Sequence, residues 1–206
     1  HDERDSTSLV NNLIEALLCD RQGDLWVGSG KGLQLYSPYE DAFKNVTFVD
    51  GNKPSVLHLQ ELHTGEIWAV TAGYGVYSID KEKMEATSLV HVNDLCSSTF
   101  MHNIHQDSRH RIWIALPNGK IVRITSDLKD VELISSSSDA LGKVYTILED
   151  LKGRTWIAAV AGVYLWNEDE HRLIRMEQPD NTFIGVRGMI CTKRGELYVN
   201  TVNNGL

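Results

Sequence analysis

Cysteine is scarce: Cys19, Cys96 and Cys191 are the only three in a chain of 206 residues. An odd number without CxxC spacing excludes a disulfide framework and a cysteine zinc site, and leaves buried free thiols as the reading. Long hydrophobic runs are missing. Uncharged stretches are short, as from Thr155 to Asn167, whereas a membrane helix needs roughly 20 apolar residues. Dense basic clusters are missing too. With 20 Lys+Arg against 28 Asp+Glu the net charge is −8, which excludes nucleic acid as the main partner. The chain lacks an initiating Met and a signal-like segment, so it is expected to be processed or cut from a longer protein. It lacks GxSxG, HExxH and a phosphate-binding loop. No catalytic residue, metal or cofactor is therefore expected. The rest is ordinary for a folded protein: 42% hydrophobic and 23% charged residues. The length allows one large domain or two small ones, with a core that needs no staple.

An internal repeat organises the chain. Trp26, Trp68, Trp113 and Trp156 are spaced by 42, 45 and 43 residues, and Tyr198 follows 42 later. Three residues before these anchors stand Gly23, Gly65, His110, Gly153 and Gly195. Six before stand Asp20, Leu62, Asp107, Asp150 and Thr192. Six or seven after stands a glycine in every copy: Gly32, Gly75, Gly119, Gly162 and Gly205.

Each copy reads as short strands joined by tight turns. Positions nine and twelve before the anchor are apolar throughout: Leu17 with Ile14, Leu59 with Val56, Ile104 with Met101, Ile147 with Val144, Met189 with Val186. Asp and Gly then mark a turn, because Asp bonds its own backbone and Gly accepts positive φ. The anchor strand, a second glycine turn and a third strand follow (Gly32–Tyr36, Gly75–Ile79, Gly162–Trp166). A weaker fourth run comes last, as in Asn45–Val49 and Val131–Ile134. Leu13, Ile14, Leu17 and Leu18 have helical spacing. Equivalent segments rich in Val, Ile, Thr and Tyr make this a strand instead.

Four strands in about 43 residues define a β-propeller blade. Helical solenoids do not fit so many glycine turns, kelch repeats are longer, and the Gly-His…Trp-Asp pattern of WD repeats is absent. The expectation is all-β: a β-propeller fragment over residues 1–206 with four-stranded antiparallel blades. The repeats run approximately 11–54, 55–98, 99–142 and 143–184, with an incomplete fifth at 185–206. The fifth stops at Gly205-Leu206, where its third strand would begin, and His1 falls in an inter-repeat linker. An open fragment exposes strand edges, so a homodimer or edge-to-edge self-association is expected.

The segment Asp20-Arg-Gln-Gly-Asp-Leu-Trp-Val-Gly28, followed by Gly32-Leu-Gln-Leu-Tyr-Ser-Pro38, resembles the two-component regulator propeller repeat, D-x-x-G-x-L-W-I-G-T-x-x-G-L-x-x-Y. Asp107–Ile114 and Asp150–Ile157 are diverged copies. The opening His1–Asn12 resembles the inter-repeat linker H-D-P-N-D-P-x-S-L-x-x-N. Departures are Leu62 and Thr192 for the turn Asp, His110 for the turn Gly, and Tyr198 for the Trp. The resemblance implies the periplasmic sensor region of a Bacteroides-type hybrid histidine kinase. Such sensors respond to oligosaccharides and reach the membrane through parts outside this chain. Streptogramin-lyase-like and gluconolactonase-like propeller enzymes share Gly-x-Leu-Trp turns and form the alternative, beside a purely protein-binding scaffold.

Recurrence assigns most conspicuous residues to packing. Trp26, Trp68, Trp113, Trp156 and Tyr198 occupy one structural position, and Trp166 aligns with Tyr36 and Ile79, so all read as blade packing rather than sugar platforms. His102, His105 and His110 cluster, but an offset of three on a strand points side chains to opposite faces, which argues against a metal site. The recurring turn Asp reads as structural. Glu168-Asp169-Glu170 reads as a solvated hairpin tip, and Gly28–Gly32 as a turn. Variable positions between constant neighbours are the better binding candidates. Eleven before the anchor these are Glu15, Leu57, His102, Tyr145 and Arg187. The loops after the anchor strand add Lys31, Tyr74, Asn118 and Asn203. Mixed aromatic, amide and charged groups suit a polyhydroxylated ligand.

Overall fold

The computed structural model describes residues 2, 4–134, 141–177 and 185–202. It divides into two units, His1–Met101 and His102–Leu206. In the first unit, β1 (Ile14–Cys19), β2 (Leu25–Ser29), β3 (Gly32–Ser37) and β4 (Ala42–Asn45) form one antiparallel sheet in sequential order. The short β5 (Thr47–Phe48) joins β6 (Val56–Glu61), β7 (Ile67–Thr71), β8 (Gly75–Asp80) and β9 (Glu85–Ser88) in a second sheet ordered β5-β9-β8-β7-β6. A helix, α1 (Val90–Cys96), ends the unit.

The second unit repeats the theme. One sheet runs β10 (Asn103–Gln106), β11 (Ile112–Ala115), β12 (Ile121–Ile124), β13 (Val131–Leu133). The next runs β14 (Val144–Glu149), β15 (Thr155–Ala159), β16 (Gly162–Asn167), β17 (Arg172–Arg175). A two-stranded sheet, β18 (Val186–Cys191) with β19 (Leu197–Thr201), follows. These are propeller blades with up-and-down connectivity. The segment with helical spacing is a strand, β1, in which Ala16 is buried while Leu17 is exposed.

The turn aspartate explains why the repeat has its form. One oxygen closes the turn: Asp150 Oδ1 accepts from the backbone N–H groups of Lys152 (2.9 Å) and Arg154 (3.0 Å). The other holds the anchor: Oδ2 accepts from Trp156 Nε1 at 2.9 Å. Asp107 and Trp113 (2.8 Å) and Asp20 and Trp26 (3.0 Å) repeat the arrangement. Gly23 and Gly153 take φ of 89° and 72° in these turns, and His110 takes 63° where a glycine would be free of strain. In the fifth copy the Thr192 hydroxyl accepts from the N–H groups of Arg194 and Glu196 (both 3.2 Å), while Tyr198 has no indole to satisfy. The second copy breaks the pairing: Leu62 is apolar, and among the described residues the buried Trp68 Nε1 has no hydrogen-bond partner.

Each anchored indole packs onto the next blade. Trp26 lies in a core with Leu59, Ile67, Ala69 and Tyr77. Trp113 lies with Ile147, Ile157 and Trp166, its ring 5.8 Å from that of Trp166 and edge-on at 73°. Trp156 packs with Val186 and Met189. Polar links join the same neighbours. The N–H of Arg21 donates to Glu61 (2.9 Å), and the N–H of Ser108 donates to Glu149 (2.8 Å).

Three features depart from the sequence reading. First, the Asn45–Val49 run is not one fourth strand. β4 ends at Asn45, and β5 crosses to pair in parallel with β9. Apolar Val46 and Phe48 draw the chain there into the core between the two blades, where Phe48 meets Tyr77 edge-on at 4.9 Å. Second, the second repeat closes with α1, whose buried Asn93 Oδ1 accepts from the N–H of Val76 at 2.9 Å. Third, Glu168 is no solvated tip. It receives hydrogen bonds from Arg109, Arg111, Arg123 and Trp166, and so ties the β16–β17 hairpin to the preceding blade.

Two predictions follow from the carboxylates. Burial opposes the charge of both Asp150 and Glu168, but their donors prevail. Arg154 and Trp156 hold Asp150 down at about 2, and Arg111 and Trp166 hold Glu168 down at about 2. Unfolded carboxyls titrate near ~4. The stabilisation is therefore complete above roughly pH 4.5 and lost as pH falls toward 2, with about 2 kcal/mol coming from buried Asp150. Thermal melts across that window should show the loss, and Glu168→Gln should flatten the profile. Separately, Trp113→Phe gives up an indole hydrogen bond while Trp68→Phe removes an unsatisfied buried N–H. Urea unfolding should find Trp68→Phe less costly by about 1 kcal/mol or more.

Candidate functional site

Regular antiparallel pairing leaves no spare residue, yet the first strand of four blades carries one. Between β14 and β15, Val144 faces Ala159 and Thr146 faces Ala158, so Tyr145 is extra. Between β18 and β19, Val186 faces Thr201 and Gly188 faces Asn200, so Arg187 is extra. In the first unit the extra residues are Glu15 (β1 with β2) and Leu57 (β6 with β7). Such bulges bend a strand and re-aim the inserted side chain. These four residues and His102 are the five variable positions picked out in the sequence. His102 stands one residue before β10, its N–H bonded to Ala115 O at 2.9 Å.

In the second unit the structure brings two of these residues together. The guanidinium of Arg187 lies over the Tyr145 ring, 5.1 Å from its centroid, and donates from Nη1 to Tyr145 Oη. The ammonium of Lys143 stands 5.1 Å from the same centroid. Among the described residues, neither cation has a carboxylate partner. Tyr145 is half-buried, while Lys143 and Arg187 are exposed. The bulge is braced from both sides. Asn103 Nδ2 donates to Tyr145 O (3.1 Å) and its Oδ1 accepts from Ile147 N (3.3 Å), while Thr146 Oγ1 accepts from Met189 N (3.3 Å). His102 is half-buried. Burial, and after it the charge of Lys143, pushes its imidazole toward the neutral form.

The other candidates are dispersed. Asn118 is exposed in the turn Pro117–Gly119 at φ 62°, and among the described residues no hydrogen bond links it to the Tyr145 group. In the first unit Glu15 is exposed, and Tyr74 is exposed between Gly73 and Gly75. Lys31 lines a 330 Å³ cleft with Phe48, Asn52 and Lys53. Asn203 and Gly205 lie outside the described residues. Trp26, Trp68, Trp113, Trp156 and Trp166 are buried and present no face to a ligand, whereas Tyr198 is exposed. His105 is half-buried with Nε2 unpartnered, and burial pushes it down to about 4. Among the described residues no three His, Cys, Asp or Glu side chains converge as a metal site. Sequence reasoning missed Lys143. It stands thirteen before its anchor, where the other copies have Leu13, Ser55, Phe100 and Gly185, so the same search for variation would have found it.

Four-stranded antiparallel blades repeated along the chain make this a β-propeller. Residues 8–31 match the family model of the two component regulator propeller. Among solved structures, the chain is similar to the extracellular domain of BT4673 from B. thetaiotaomicron, named as a hybrid two component system. The identity is 21% and the TM-score 0.78, over 95% of this chain and 28% of that one. The corresponding domain of BT3049 from the same organism is 15% identical, with a TM-score of 0.72, over 96% of this chain and 33% of that one. Virginiamycin B lyase from Staphylococcus aureus is 15% identical, with a TM-score of 0.68, over 90% of this chain and 62% of that one. The chain thus spans about a third or less of the two sensor domains. No curated protein matches it by sequence. No helix among the described residues is long and apolar enough to cross a membrane.

Lys143→Ala removes a like charge beside His102. The His102 titration midpoint should move upward, as read by NMR of the imidazole. An unmoved midpoint would separate Lys143 from His102.

Proposed function

We propose that this chain is ligand-sensing propeller sequence from the extracytoplasmic, periplasmic part of a two-component system sensor that responds to oligosaccharides. In this reading the chain does no chemistry itself. The observation that carries it is the bulged first-strand position, where Tyr145 and Arg187 meet beside Lys143. A rigid ladder fixes the backbone there, while the inserted side chain is free to differ from blade to blade. The match at residues 8–31 supports the sensor class. Residues 1–206 form part of one propeller, with the repeat boundaries given above. Ligand would act by binding one of two arrangements of the sensor more tightly, since only differential affinity shifts an equilibrium.

Self-association belongs to the same proposal. Leu13 and Leu17 are exposed along β1 in the first unit, and Ile190 and Val202 are exposed at β18 and β19 in the second. Apolar strand surface of this kind pairs readily with another copy. Light scattering should find a dimer or larger species, and a clean monomer would count against it.

Thermal-shift screening against oligosaccharide pools tests the function. A sugar pool should raise the melting temperature, and Tyr145→Ala or Arg187→Ala should remove the shift. The enzyme alternative rests on the likeness to virginiamycin B lyase. Turnover of a lactone or ester substrate would replace the sensor reading with it.

A further inference from the structure

The Tyr145 group has a one-sided chemistry. Lys143 and Arg187 are permanent donors with no lone pair to offer. Tyr145 Oη already accepts from Arg187, so its own O–H proton is directed elsewhere. Both cations are exposed and have no carboxylate partner among the described residues. Two cations converging on one ring with no carboxylate partner among the described residues set the group apart from paired exposed cations, such as Arg21 with Glu61 at 2.8 Å and Lys83 with Asp80 at 2.8 Å.

From this donor set we infer that the group binds an anionic substituent, a carboxylate or a sulfate, carried on a sugar ring. The negative oxygens would bridge the Lys143 ammonium and the Arg187 guanidinium and accept the Tyr145 proton. Charge-assisted bonds of this kind are stronger than neutral ones, so acidic sugars would be selected over neutral ones of the same size. The inference rests on the sensing role proposed above and narrows its ligand class.

Calorimetric titration of the full chain tests it with three probes: tetragalacturonate, a heparin-derived tetrasaccharide and a neutral galactose tetrasaccharide. At least one acidic probe should bind about tenfold or more tighter than the neutral one, with affinity falling as salt is raised because exposed charges are screened. Whichever acidic probe binds better identifies carboxylate or sulfate as the recognised group. Lys143→Gln and Arg187→Gln should each weaken that acidic probe about fivefold or more. Unaltered thermal melts of the two variants would show that they fold. Equal or tighter binding of the neutral probe overturns the anionic inference and leaves the sensor reading standing. So does acidic binding that both variants retain in full. Failure of all three probes overturns the anionic inference, and the sensor reading falls as well only if the oligosaccharide pools also give no thermal shift.

Discussion

A single carboxylate with two tasks underlies the fold. In three of the five repeats one oxygen of the turn aspartate gathers the N–H groups of a tight turn while the other receives an indole N–H. Neither task would succeed alone. Buried without a donor, the carboxylate would be costly, and so would the indole nitrogen without an acceptor. Joined, they fix the direction of a large flat side chain at the point where one blade meets the next. The apolar contacts of Trp26, Trp113 and Trp156 with the following blade depend on that aim. The second repeat illustrates the cost of departure, for Trp68 keeps its packing position but not its partner.

Between neighbouring blades the apolar contact is supplemented by charge, unevenly. Glu168 and three arginines make a dense ionic seam in the second unit. In the first unit, Lys81 reaches Asp20 and Asp24 while Arg21 reaches Glu61 and two backbone carbonyls. Such networks gain from sharing, since a side chain already held by one partner gives up little freedom to a second. The β5–β9 pairing adds backbone hydrogen bonds that a bare loop would not make, because the linker itself becomes part of the next sheet.

Much of the architecture was legible because repetition multiplies weak signals. One Asp-x-x-Gly-x-x-Trp could be chance, but five aligned copies fix strand order and turn position. What the sequence concealed lay off the repeat. Helix α1 occupies a linker without a counterpart, and β5 owes its place to Val46 and Phe48 filling a tertiary gap. Glu168 looks solvated in sequence because its partners are 45 to 59 residues away. The candidate site was half legible. Variation at one register position pointed to Tyr145 and Arg187, but their meeting depends on adjacent blades. The bulge was invisible, because the third repeat, whose β10 pairs without a shift, has the same apolar spacing as the four that carry the extra residue. His105 and Trp68 show the opposite limit: nothing in their own sequence neighbourhood marks a buried nitrogen as unpartnered.

The bulge has a consequence for how such a protein can change. An inserted residue contributes no rung to the ladder, so its identity is decoupled from the strand pairing around it. Acidic Glu15, apolar Leu57, aromatic Tyr145 and basic Arg187 all occupy it within one chain. The position is therefore an address whose content can be rewritten, one blade at a time, while the scaffold keeps its register. A propeller built this way can change the side chain it presents there by point substitution, without altering its strand pairing.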